Sequence, residues 1–374
     1  MEGRESWIDS WKGLLIFLVV LGHVVGGFYH YVGGEGQRMF HYVYKVIYLF
    51  HMPAFFMLAG WLIGRKRQMG RPQPSFGSFL MQKAQRLLVP YAFWGVLSVV
   101  VYLFLSQHIG SFRADATDNY YRASKFAVGW GKSFLALVHA GGWPRGNGFR
   151  CNGVLWFLPC FFVVLLAQHG LDRVVAKWRL REVKGTRLAE VAFIVVLFAL
   201  GGWLKIHVGD YWPWGLSRAP RYWAFLLVGV LIGEHNLFRS AKLPLCLVLL
   251  AVYFAAAYFY PDLILSFRHW PWYWVEIGLG LCGCVISAVI AQRFNCRLLS
   301  FVGGLTLGIM LVHKFLVLGL QLLYAQMADL HPILLLGGAL VLAALVLALS
   351  SSLTLAVRRI APALLGERRL QHEA

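Results

Sequence analysis

The sequence predicts an all-α integral membrane protein of about ten transmembrane helices. Both termini are expected on the cytoplasmic side, with a kinked second helix and a long polar loop between helices three and four. Three observations predict this. The 374 residues are 59% hydrophobic and 14% charged, with a mean hydropathy of +0.64, whereas a soluble domain carries about 25% charged residues. Apolar runs close to bilayer-spanning length recur along the chain. The net charge of +19 concentrates in the loops of one side, as the positive-inside rule requires. That bias explains the basic balance without nucleic acid, for which the chain has no aromatic-interleaved basic domain.

The first apolar run covers about 11–28 and the second about 43–63, which the basic stretch RKRQMGR at 65–71 ends. Residues 72–86 read as an amphipathic segment lying in the interface, and the third span as about 87–106. The long polar loop, 107–152, includes the glycine-rich GGWPRGNGFRCNG and has the aromatic content of a folded loop. Spans follow at about 154–169, 188–205, 221–235, 243–260, 272–292, 301–323 and 332–357. Residues 1–357 are therefore read as a single membrane domain, and 358–374, opening with Arg358 and Arg359, as a basic cytoplasmic tail. The N-terminus is too acidic and too rich in tryptophan for a cleaved signal peptide, so the first run is expected to remain as a helix. Of six cysteines, Cys282 and Cys284 fall on different faces of one helix, and free thiols packed among helices are expected.

One stretch carries most of the chemistry. In DSWKGLLIFLVVLGH, Lys12 and His23 are eleven residues apart, so on a helix they share a face about 16 Å apart along the axis. An ionisable residue at membrane depth is expensive and marks a functional candidate, which makes His23 the expected catalytic residue. A histidine there can also simply bond a neighbouring helix. Asp9 is the carboxylate at the entry to this helix, equally explained as a favourable first-turn charge. Lys12 is equally explained as an interface anchor. His51 precedes Pro53 in FHMPAFFMLAG, where proline frees backbone carbonyls. His313 stands in LGIMLVHK, and Trp156 in GVLWFLP can be an aromatic-belt residue. Lys83 and Arg86, three apart in QKAQRLLVPY, suit phosphate. Glu276 is an intramembrane carboxylate with Arg268 or a histidine as candidate partners, and Glu234 and His235 sit where a span leaves the membrane. GxSxG, GxxxxGK[ST] and HExxH are absent from the sequence. Three dispersed histidines lack the local spacing of a metal site, so no metal is expected.

These motifs, in this order, resemble the membrane acyltransferase family 3 and within it the fucose 4-O-acetylase branch. The likeness rests on Lys12 and His23 in their context, FHMPAFFMLAG, the KxxR before LLVPY, LWFL, and SFVGGLTLGIMLVH. Lys12 stands where many members have arginine. LWFLPCF replaces the WSLxxE of the wider family, so no glutamate is carried over. The resemblance implies transfer of an acetyl group from acetyl-CoA to a sugar hydroxyl of a bacterial glycan, an exopolysaccharide or lipid-linked repeat unit, in the bacterial inner membrane.

On that reading Lys12, Lys83 and Arg86 hold the CoA phosphates, with His51 also on the donor side. His23 is the base, assisted by Asp9, His313 and Trp156, the last as an oxyanion donor. An acyl-histidine is the competing route. A polytopic transporter or flippase, or a non-catalytic partner of a glycan export complex, is the alternative class.

Overall fold

The computed structural model describes residues 6–108, 130–140, 152–178, 185–209, 212–240, 243–259, 269–320, 327 and 330–367. Most of the loop 107–152, with Cys151 and the GGWPRGNGFR stretch, lies outside the described residues, as do Arg268 and residues 179–184. All regular structure among the described residues is helical.

In chain order the helices are α1 (Ser6–Tyr31), α2 (Gly34–Gln68), α3 (Phe76–Lys83), α4 (Val89–His108), α5 (Trp130–His139) and α6 (Phe157–Lys177). They continue as α7 (Thr186–His207), α8 (Ala219–His235), α9 (Leu243–Phe259), α10 (Trp270–Arg293), α11 (Arg297–Gly304), α12 (Thr306–Gly319) and α13 (Pro332–Ile360). The described residues of the ten expected spans are mostly helical. Seven helical stretches are long and apolar enough to cross a membrane, and α11 with α12 forms an eighth if the bent pair is one span. The helices α8 and α9, at 17 residues each, sit at the short limit for a bilayer.

Two elements differ from the sequence reading. The segment expected at 72–86 is not separated from span three. The chain runs from α3 through a π turn, Ala84–Leu88, directly into α4, and Phe76–Val101 is a single candidate span. Apolar Leu80, Met81 and Leu87 extend the run past Lys83 and Arg86, which the wider π turn accommodates. Span nine is not one helix, because α11 and α12 meet at an 82° bend. The pair Gly303-Gly304 disfavours helix there, and Thr306 Oγ1 donates to the Gly303 carbonyl at 2.7 Å. Of the tail expected at 358–374, residues up to 367 are described. After α13 a 3₁₀ turn, Pro362–Leu365, folds back, the Leu364 carbonyl accepts from Trp94 Nε1 at 2.9 Å, and Arg358 pairs with Glu367. By contrast α2 continues through Pro53 as one helix.

The chain divides into two compact units, one of residues up to Arg65 with Gly229–Ala356, the other of Lys66–Val228 with Val357 onward. In the first, α1 is central and packs on α10, α11 and α12. Glycines let backbones touch: a side chain on Gly13 would strike the Leu299 carbonyl, and one on Gly303 the Asp9 carbonyl. Small residues at helix crossings of this kind are the usual means of close approach in membranes. Ser10 Oγ reinforces the crossing at 2.6 Å from Asn295 Oδ1 and 2.9 Å from Ser300 Oγ. Trp11, fully buried, donates from Nε1 to Ser287 of α10 at 3.0 Å. In the second unit the buried Asp172 carboxylate accepts from Arg67, from Gln73 at 3.1 Å and from Gln168 at 2.7 Å. A buried charge so completely answered holds α6 and the end of α2 in fixed register.

Candidate active site

The first unit gathers the chain's three candidate histidines on three helices. Mid-way along α1, His23 is half-buried between Gly22 and the wall formed by α2. The rings of α2 reach it because α1 has glycines there. A methyl on Gly22 would come within 2.9 Å of the Tyr48 ring, and one on Gly26 within 3.3 Å of Tyr44. These glycines are four apart and line one helix face. Through that gap Tyr48 Oη lies 3.1 Å from His23 Nδ1. Tyr48 is itself held by Tyr44, stacked at 3.9 Å between centroids, and by the edge of His51 at 4.7 Å.

The other two histidines have defined tautomers. His51 Nδ1 is 2.8 Å from the Ile47 carbonyl, and His313 Nδ1 is 2.9 Å from the Ile309 carbonyl. A carbonyl only accepts, so each Nδ1 carries the proton and each Nε2 presents a lone pair. His313 lies with its ring centroid 5.3 Å from that of His23. Its Nε2 is buried with no hydrogen-bond partner among the described residues. Lys314, the next residue, is 8% exposed and acts electrostatically on both His23 and His313. A buried polar group without a partner calls for a reason, and a place prepared for substrate supplies one.

For His23 the hydrogen bond to Tyr48 decides which nitrogen works. In the tautomer that donates Nδ1–H to Tyr48 Oη, the Nε2 lone pair is open to a substrate proton. Tyr48 then stands where an orienting carboxylate stands in a catalytic triad, holding the ring in place without adding charge. Among the described residues no three metal-ligating side chains come close enough to hold an ion.

The remaining sequence candidates fall elsewhere. Asp9 pairs with Lys12 at 3.0 Å one turn away, fourteen residues from His23 and so about 21 Å from it along α1. Lys12 keeps two of its three N–H donors beyond that bond. In the second unit, Lys83 lies over the Phe79 ring at 5.1 Å and within electrostatic reach of Arg86 and Lys66. Trp156 closes a 3₁₀ turn, Gly153–Trp156, with the Arg218 guanidinium 4.3 Å from its ring and Tyr222 at 5.5 Å. Glu276 lies half-buried in α10. Sequence reasoning missed Tyr48 and Lys314. Tyr48 is one of 16 tyrosines and has no local signal. Lys314 has one, a charge directly after His313 inside apolar helix.

The family model described as acyltransferase domain, of acyltransferase family 3, matches residues 5–356. Two proteins named nodulation protein NolL are also similar. The one from Mesorhizobium japonicum is 36% identical over 100 residues, which are 26% of this chain and 24% of that protein. The one from Sinorhizobium fredii is 32% identical over 117 residues, 31% of this chain and 30% of that protein. The matched stretches thus span under a third of these relatives' length. No solved structure matches. The family match begins ahead of Asp9 and runs past α12, so it takes in His23, Tyr48, His51, His313 and Lys314 together. The chain accordingly belongs to the acyltransferase 3 family, with the long apolar helices of a multi-pass membrane protein.

Proposed function

We propose that this acyltransferase moves an acetyl group from acetyl-CoA to a sugar hydroxyl of a bacterial glycan in the inner membrane, with His23 as general base. The observation that carries the reading is the hydrogen bond from His23 to Tyr48, made at mid-helix depth beside His313 and Lys314. Apolar helices do not keep such a group of polar side chains for packing, because each one buried is unfavourable.

In this scheme His23 Nε2 takes the proton of the sugar hydroxyl as the oxygen attacks the thioester carbon. The tetrahedral intermediate then collapses, the C–S bond breaks, and the proton passes from His23 to the CoA thiolate. Lys12 holds donor phosphate at the far end of α1, since its distance from His23 matches an extended pantetheine arm and its ammonium has donors beyond the bond to Asp9. Asp9 is thereby the residue that positions Lys12. Lys83 and Arg86 are proposed as further phosphate contacts, on the strength of their clustering with Lys66. The fucose 4-O-acetylase-like motifs favour a fucose-bearing exopolysaccharide or lipid-linked repeat unit as acceptor.

The test is purified protein with radiolabelled acetyl-CoA and a panel of free and lipid-linked oligosaccharides. His23→Ala should lose about 10²–10⁴-fold in transfer, the range for a general base, while remaining folded in the membrane. Near-normal turnover by that variant would overturn the mechanism. Absence of both transfer and acetyl-CoA binding in the wild type would favour a transporter.

A further inference from the structure

Lys314 has no role in the scheme above, and its surroundings demand one. It lies inside α12, eight residues from one end and five from the other, and is 8% exposed. Interface lysines reach headgroups by extending their stems, and a lysine this buried does not. Among the described residues no carboxylate is paired with it. An ammonium in that state is among the most unfavourable groups a membrane helix can contain. It directly follows His313, whose ring centroid lies 5.3 Å from that of His23, and it acts on both imidazoles electrostatically.

We propose that Lys314 is a catalytic residue, whose ammonium binds the oxyanion formed on the thioester carbonyl during transfer. The inference rests on the acetyl-transfer reading and deepens it. Attack by the sugar oxygen pushes the carbonyl π pair onto oxygen, and the negative charge needs a donor already in place. The two flanking imidazoles do not supply it. His51 and His313 have given their Nδ1–H groups to Ile47 and Ile309, and their Nε2 atoms are acceptors. Lys314 has three N–H donors and a full charge, held in a low-dielectric site where both act strongly. On collapse the pair returns to the carbonyl, CoA leaves as thiolate and takes the proton from His23, so no further reactant is required. The lack of a counter-ion among the described residues is then explained, because the charge that completes Lys314 exists only in the transition state.

The experiment uses full-length protein in nanodiscs, with acetyl-CoA and a fucosylated oligosaccharide, and follows CoA release with and without the sugar. Lys314→Met should lower kcat by about 10²–10³-fold and leave the KM for acetyl-CoA within about twofold of wild type. Its Tm should be equal or higher, because an unpaired buried charge has been replaced by an apolar chain. Lys314→Arg should recover part of kcat. If Lys314→Met does not reach the membrane, Lys314→Gln makes the same comparison with size and polarity kept. A kcat near wild type, a rise in KM alone, or a loss that follows a fall in Tm would each overturn the assignment. These outcomes differ from failure of the underlying reading, in which wild type releases no CoA or His23→Ala remains as active as wild type. Either of those would overturn both proposals.

Discussion

At the residue scale, the contact between His23 and Tyr48 joins structure to chemistry. One hydroxyl at 3.1 Å from Nδ1 sets which imidazole nitrogen is free, so the ring of Tyr48 can stay while its function is removed. Tyr48→Phe keeps the stack on Tyr44 and the edge contact with His51. It should lower kcat by about 10-fold or more through loss of ring orientation, short of the full general-base factor. The KM for acetyl-CoA should stay unchanged, and Tm within about 1 kcal/mol of stability, the net value of one hydrogen bond. A wild-type kcat in this variant would remove Tyr48 from the mechanism. An isolated histidine announces itself in an apolar run. The tyrosine that orients it does not, because an aromatic ring is at home in any membrane helix.

At the element scale, glycine decides where helices meet and where they break. Gly13 and Gly303 bring α1 and α11 to backbone contact, and Gly303-Gly304 with Thr306 turns α11 away from α12 by 82°. That bend fixes the direction of α12 and with it the approach of His313 and Lys314 to His23. Gly303→Ala places a methyl against the Asp9 carbonyl, a backbone atom that cannot rotate aside. Overpacking of this kind costs about 1–3 kcal/mol. It should appear as a lowered Tm together with reduced activity, although residue 303 touches no substrate in the proposed scheme. Unchanged stability would mean that the crossing of α1 and α11 adjusts freely. The hydropathy pattern foretold that residues 301–323 were apolar and helical. It did not show the break, since two glycines in a membrane helix are as often crossing points as bends.

At the scale of the whole molecule, contacts divide the chain into two units whose segments are far apart in sequence, with Val357 onward joined to Lys66–Val228. In each unit a buried polar assembly stands out, the histidines with Tyr48 and Lys314 in one, and Asp172 with Arg67, Gln73 and Gln168 in the other. The positive-inside rule, applied to the basic loops, predicts cytoplasmic termini and an external 107–152 loop. Reporter fusions should therefore show a cytoplasmic C-terminus and an external 107–152 loop. An external C-terminus would overturn the orientation and reverse the side on which Lys12 meets the donor.

The sequence by itself determined the membrane class, the positions of the helices, the family and the place of His23 within an apolar helix, because each depends on local composition or on spacing along one helix. It placed Lys12 and His23 on one line for the same reason. Only the tertiary structure decided that Asp9 pairs with Lys12, that Tyr48 is the partner of His23, and that Lys314 is buried. Those pairings join residues on different helices, or choose between an ion pair and solvent, and both are settled by how closely backbones approach. In a membrane that approach is set by packing, since lipid and leucine are equally apolar and hydropathy alone does not say which faces meet.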